Sequence, residues 1–172
     1  MPAFNYTREL LTRTNATKLF TRPADTTAYA VGDAVGPAAG NSSFALPVSR
    51  DTTNGDGGYI QGVRLSASVA TIANASFRLY FFTQQPSGDV ADNAVFAMSF
   101  ADSQIYIGEI NLPTMALTTG GGGIAFIKDA STRVGYFLPP GQASIWTLIT
   151  AQGAYVPASG QQFFLSLAIE QC

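Results

Sequence analysis

The 172-residue chain contains no histidine. Histidine is the commonest side chain for proton transfer near neutral pH and the commonest metal ligand. Ser-His-Asp and Cys-His arrangements are therefore excluded. A single cysteine, Cys172, rules out an intrachain disulfide. With no histidine to join it, an ordinary zinc site is excluded as well. Pairing of Cys172 between chains is disfavoured in a reducing compartment. Charge is also scarce, at 12% of residues against about 25% in an ordinary domain. Hydrophobic residues reach 47%. Such a composition fits a surface solvated by Ser, Thr, Asn and Gln, or a surface covered by partners. Long apolar runs are missing: Phe163–Leu165 and Ile124–Ile127 fall far short of the ~20 residues of a spanning helix. The opening Met1-Pro2-Ala3-Phe4-Asn5-Tyr6 lacks the basic start and apolar stretch of a signal peptide. The expectation is a protein made in a cytosol, with no membrane partner.

The few charges are unevenly placed. Arg8, Arg13, Lys18 and Arg22 face only Glu9 within residues 1–24, whereas residues 25–172 carry five basic and ten acidic groups. A basic arm precedes a mildly acidic body. The arm shows no period-2 pattern, and Pro23 biases Arg22 towards extended backbone. Such a segment, extended with at most a turn or two of helix, does not bury itself. The expected division is an N-terminal arm over 1–24 and one domain over 25–172. The four basic residues lack the density and aromatic interleaving of a nucleic-acid binder. They are candidate contacts to an acidic neighbouring protein.

The body reads as strand after strand, separated by Gly, Pro, Asn and Asp clusters. In Tyr59–Val69, Val63, Leu65, Ala67 and Val69 alternate with Arg64, Ser66 and Ser68, as a sheet with one buried face requires. Ser76–Thr83 puts Phe77, Leu79 and Phe81 on one face, with Arg78, Tyr80 and Phe82 on the other. That second set is apolar for a solvent face. Tyr29–Val35, Ser43–Val48, Gln104–Leu112, Gly123–Lys128, Val134–Leu138, Ser144–Thr150 and Gln161–Glu170 complete the series. Helix is expected at most over Asp92–Phe100. Many short strands without alternating helices predict an all-β fold. A jelly-roll-like β-sandwich is preferred, with an immunoglobulin-like sandwich as the alternative.

Candidate chemistry is thin. Asp102 and Glu109 form a conceivable carboxylate pair, but the aspartates sit almost entirely in turn contexts, where they accept local backbone hydrogen bonds. Asp51-Thr52-Thr53-Asn54-Gly55-Asp56-Gly57 has the flavour of a calcium loop, yet departs from the EF-hand pattern at Thr53 and lacks the closing Glu. Gly120–Gly123 is followed by β-forming Ile124–Ile127, not by the Lys-Ser/Thr and helix of a phosphate loop. Sequons at Asn5, Asn15, Asn41 and Asn74 are expected from composition alone. Trp146 and Tyr59, Tyr80, Tyr106, Tyr136 and Tyr155 suit core packing, with a carbohydrate platform as the alternative. No cofactor, no metal and no catalysis are expected.

The stretch Thr21-Arg22-Pro23-Ala24-Asp25-Thr26-Thr27-Ala28-Tyr29-Ala30-Val31-Gly32-Asp33-Ala34-Val35 resembles a recurring opening in small virion proteins of tailed phages, where it leads into a β-sandwich body. Gly57 to Thr83, with its GGYIQGVRL and SFRLYFF runs, is similar to the same group. The resemblance implies a capsid cement (decoration) protein, often a trimer. Its partners would be the major capsid protein and further copies of itself, on a head assembled in the host cytoplasm. A tail, fibre or adhesin module binding a host-surface glycan is the alternative. The resemblance brings no functional residues with it.

Overall fold

A computed structural model describes residues 13–49, 52–69, 72, 75–127 and 133–171, with side chains from Asn15 onward. They form two antiparallel sheets. The first contains β1 (Arg13–Thr21), β11 (Gln162–Gln171), β4 (Asp56–Ala67), β8 (Gly123–Ile127) and β7 (Ala116–Leu117) in that order, with β9 (Val134–Leu138) also paired to β4. The second runs β2 (Ala34–Val35), β10 (Ser144–Ala151), β5 (Phe77–Phe82) and β6 (Tyr106–Asn111), with β3 (Phe44–Pro47) also on β10.

β2 and β3 share one edge of β10, and β8 and β9 share one edge of β4. Each pair fills a single strand position, which, with the two-residue edge strand β7 set aside, leaves eight positions along the chain. The first pairs with the eighth, the second with the seventh, the third with the sixth and the fourth with the fifth. The eighth also pairs with the third, and the seventh with the fourth. This nesting of antiparallel strands across two sheets is the jelly roll, which resolves the choice of sandwich left open by the sequence.

Alternation builds the core. Val63, Leu65 and Ala67 of β4, Phe163, Leu165, Leu167 and Ile169 of β11, and Phe77, Leu79 and Phe81 of β5 point between the sheets. Phe163 stacks on Phe20 at 5.4 Å and meets Phe77 edge-on at 5.8 Å. Burying each such ring contributes about 1.5–3 kcal/mol. Ile60 and Val63 are three residues apart, yet both are buried. The register against β11 shifts between Ala168 and Ile169, leaving Gln61 unopposed. This bulge returns both side chains to the same face.

Residues 13–21 of the expected arm are a full strand, paired residue by residue with β11. Ala16 and Phe20 point into the core, while Asn15, Thr17 and Leu19 face out. Lys18 interrupts the inward set. It sits at the sheet edge with Nζ 5.8 Å from the Phe44 ring centre, so its stem covers apolar surface while its charge stays near water. That lysine hides the alternation in the sequence.

Helix falls later than expected. α1 spans Phe100–Ile105, and Asp92–Phe96 makes no helical turn. The Ser99 hydroxyl accepts from the Asp102 amide, and the Asp102 carboxylate accepts from the Ser99 amide. This reciprocal cap fixes the start of the helix.

Candidate interaction surface

The two sheets differ in what covers their outer faces. On the second sheet, register aligns Trp146, Phe82 and Tyr106 in one outward row and Leu148, Tyr80 and Glu109 in the next. Residues 83–105 lie over these rows. Phe96 packs its ring 5.3 Å from Tyr80 and 6.3 Å from Phe82, and Phe82 and Leu148 are fully buried. The apolar second face of Ser76–Thr83 is therefore a second, smaller core made by the chain itself.

Acidic side chains tie this covering segment to the sheets and, at Asp102, to itself. Asp92 accepts from the Arg22 guanidinium at 3.1 Å, the Tyr29 hydroxyl at 2.5 Å and the Gly36 amide at 2.8 Å. Asp89 accepts from both the amide and the hydroxyl of Ser43. The Asn93 amide, with its nitrogen turned inward, donates to the Asp33 carboxylate and the Ala28 carbonyl. Asp102 accepts from the Ser87 amide at 2.5 Å, the Ser87 hydroxyl at 2.9 Å and the Gly88 amide at 3.1 Å. Burial alone would raise the Asp102 pKa, but the hydrogen bonds from Ser99 and Ser87 outweigh it and hold the carboxyl down at about 2.

These contacts correct several expectations. Arg22 is only 1% exposed. Burial alone would lower its pKa. Its bond to the Tyr29 hydroxyl and the charges of Asp92 and Asp25 hold the pKa above its usual value. It contacts Tyr29, the carbonyl and carboxylate of Asp25, and Asp92. Arg22 is thus a clasp inside the fold, joining Asp25, Tyr29 and Asp92. Of the other candidates, Arg8 lies outside the described residues, Arg13 supplies backbone to β1 opposite Glu170, and Lys18 is half-buried. Asp102 and Glu109 do not form a pair. Glu109 faces Arg78 at 3.4 Å and the Tyr106 hydroxyl at 3.3 Å, and the Tyr106 pKa is pushed up to about 12 by burial and by Glu109.

The remaining candidates scatter. Asp51 of the calcium-like loop lies outside the described residues, and Asp56 takes the Gly57 amide and the Gln171 amide nitrogen. Asn15 and Asn41 are exposed, while Asn5, Asn74 and Cys172 lie outside the described residues. Tyr136 and Tyr155 are buried and Trp146 is half-buried. Burial pushes the Tyr155 hydroxyl far up. Of the nominated aromatics, Trp146, Tyr80 and Tyr106 share adjacent outward rows of the second sheet, and Tyr59, Tyr136 and Tyr155 lie elsewhere. No helix among the described residues is long and apolar enough to cross a membrane.

The outer face of the first sheet has no such cover among the described residues. Register places Leu19, Phe164, Ser66 and Ile124 in one outward row, with Thr17, Ser166, Arg64 and Phe126 in the next. Further along, Tyr59 and Phe137 stand over Gly135 and Gly57 of the neighbouring strands. Leu19 is 60%, Phe126 55% and Phe137 67% exposed. Sequence patterning alone does not reveal this face, because Leu19, Phe126 and Phe137 sit singly between core residues. Only strand register brings them together.

No protein-family model matches the chain, and no curated protein sequence matches it. Among solved structures, it is similar to a chain of "Israeli acute paralysis virus heated to 63 degree - full particle", at 16% identity and a TM-score of 0.30, covering 94% of this chain and 72% of that one. It is also similar to a chain of "Structure of infectious bursal disease virus Gx strain", at 12% identity and a TM-score of 0.15, covering 99% of this chain and 45% of that one. The class of this protein, a jelly-roll β-sandwich, rests on its own strand order.

Proposed function

We propose that the chain is a non-enzymatic structural subunit of a virion, acting as a cement protein that binds between major capsid subunits of a phage head. The observation that carries this reading is the contrast between the two outer faces. The chain spends residues 83–105 on covering one sheet, while among the described residues the other is charge-poor and uncovered, with Leu19, Phe126 and Phe137 exposed. A monomer gains nothing from such a face, whereas a subunit buries it against a neighbour. The resemblance of Thr21–Val35 and Gly57–Thr83 to phage virion proteins supports the head as the assembly, with an oligomer, such as a trimer, as the bound form. Clamping adds stability because such a subunit binds the assembled shell and not its dispersed parts.

The Asp and Glu groups described above serve folding contacts, which supports a role without catalysis. A glycan-binding tail or fibre module is less well supported. Tyr59 and Phe137 do flank a depression of about 500 Å³. Among the residues lining it, Gly57, Gly58, Tyr59, Ile107, Gly135, Tyr136 and Phe137, the side-chain polar groups are two tyrosine hydroxyls, few for orienting a sugar. The test is cosedimentation of purified protein with heads lacking it. Saturable binding at a fixed ratio to the major capsid protein is expected, and absence of binding at saturating protein would overturn the assignment.

A further inference from the structure

Arg64 stands near the middle of the uncovered face. Its register partners are Ser166 on β11 and Phe126 on β8. Its guanidinium carbon lies 5.7 Å from the centre of the Phe164 ring, a cation–π distance. The ion pairs among the described residues do not include it. The carboxylate on the same face, Glu170, is engaged by Arg133 at 3.3 Å. Beside Arg64 is a depression of about 220 Å³, bounded by Asn15, Gly62, Phe126, Ser166 and Ala168. Gly62 and Ala168 are opposite each other in register, so the floor is low because those two positions carry little or no side chain. The walls carry a guanidinium, an amide and a hydroxyl.

We propose that this depression receives an acidic side chain of a protein partner, with apolar residues on either side of the acid resting on Phe126, Phe164 and Leu19. This rests on the assembly role above and names the chemistry of the contact. Charge complementarity selects the occupant. A planar guanidinium presents paired donors that match a carboxylate, and Asn15 and Ser166 supply further donors. A second copy packed face to face across a two-fold axis through this site would set Arg64 against Arg64, and like charges brought together oppose binding. A polyanion such as DNA needs many cations, whereas among the described side chains this face offers Arg64 alone once Arg133 is paired, on a body with ten acidic and five basic groups.

The test is an amide and side-chain NMR titration of the full chain with acetyl-Leu-Glu-Leu-amide, with acetyl-Leu-Gln-Leu-amide as the uncharged control. The expected result is saturable shifts at Gly62, Arg64 Nε and Ser166 with the Glu peptide, and binding weaker by about tenfold or more with the Gln peptide. In the Arg64→Gln variant the response is lost while the rest of the spectrum, and hence the fold, is retained. Equal affinity for the two peptides, unchanged binding by Arg64→Gln, or no shifts up to about 10 mM peptide would overturn the proposal. Cosedimentation of the same variant with heads separates the two levels. An Arg64→Gln chain that binds heads as tightly as the parent removes the acid pocket and leaves the cement role standing. Failure of the parent chain to bind heads removes the role itself.

Discussion

The Arg22 guanidinium meets the Asp92 carboxylate at 3.1 Å across 70 positions of sequence. This pair joins the end of β1 to the segment that covers the second sheet. Tyr29 completes it, donating to Asp92 and accepting from Arg22, with burial and the Asp92 bond pushing its hydroxyl far up. Arg22, Asp25, Tyr29 and Asp33 all have partners inside the fold.

Removing one member of this clasp leaves a buried charge unpaired. Arg22→Met is expected to destabilise the chain by about 3–5 kcal/mol in urea unfolding. The double change Arg22→Met, Asp92→Leu should cost less than the sum of its parts, because neither charge is then stranded. Additive costs would show that the two groups are not coupled.

Asp102 gives the fold an acid-sensitive anchor. Its folded pKa of about 2 lies below the value near 3.9 of an unfolded aspartate. Its contribution is complete above pH ~4 and is lost as pH falls towards ~2. Asp102→Asn is expected to be less stable at pH 7 by about 2 kcal/mol and to lose less on acidification between pH ~4 and ~2 than the parent. Parallel stability curves for the two proteins across that window would contradict this role.

The covering segment should depend on the small aromatic core beneath it. Phe82→Ala removes the ring that meets Phe96 and Tyr106. A cost of about 3–5 kcal/mol is expected, together with faster proteolytic cleavage within residues 84–99. Cleavage confined to other loops would indicate that the acidic anchors alone hold the segment.

The exposed face of the first sheet should behave oppositely. Leu19→Ser, Phe126→Ser and Phe137→Ser are expected to change folding stability by no more than about 0.5 kcal/mol each. Together they should reduce head binding by at least about tenfold. Unimpaired binding by the triple variant would move the contact to another surface.

Much of the fold was legible because most strands alternate cleanly. Tyr59–Val69 shows most of its buried set directly, Val63, Leu65 and Ala67, although β4 ends before Val69, and the apolar second face of Ser76–Thr83 already implied a cover. β1 was missed because Lys18 occupies an inward position and Leu19 an outward one, which is tolerated only at a sheet edge. Ser99 and Asp102 spell a helix cap, but the helix is six residues long and offers too little periodicity to stand out from the preceding loop. The candidate face was illegible for a different reason. Leu19, Phe126, Phe164 and Arg64 belong to four strands, and cross-strand register is a property of the whole sheet. Charge asymmetry singled out Arg22, but not the contacts to Tyr29 and Asp92 that hold it in the fold.

The most direct measurement is the thermal disruption of heads prepared with and without this subunit, followed by release of packaged DNA. Heads carrying the subunit are expected to open at a higher temperature, and adding purified protein to bare heads should restore the difference. Identical opening temperatures, with the subunit demonstrably bound, would contradict the cement role.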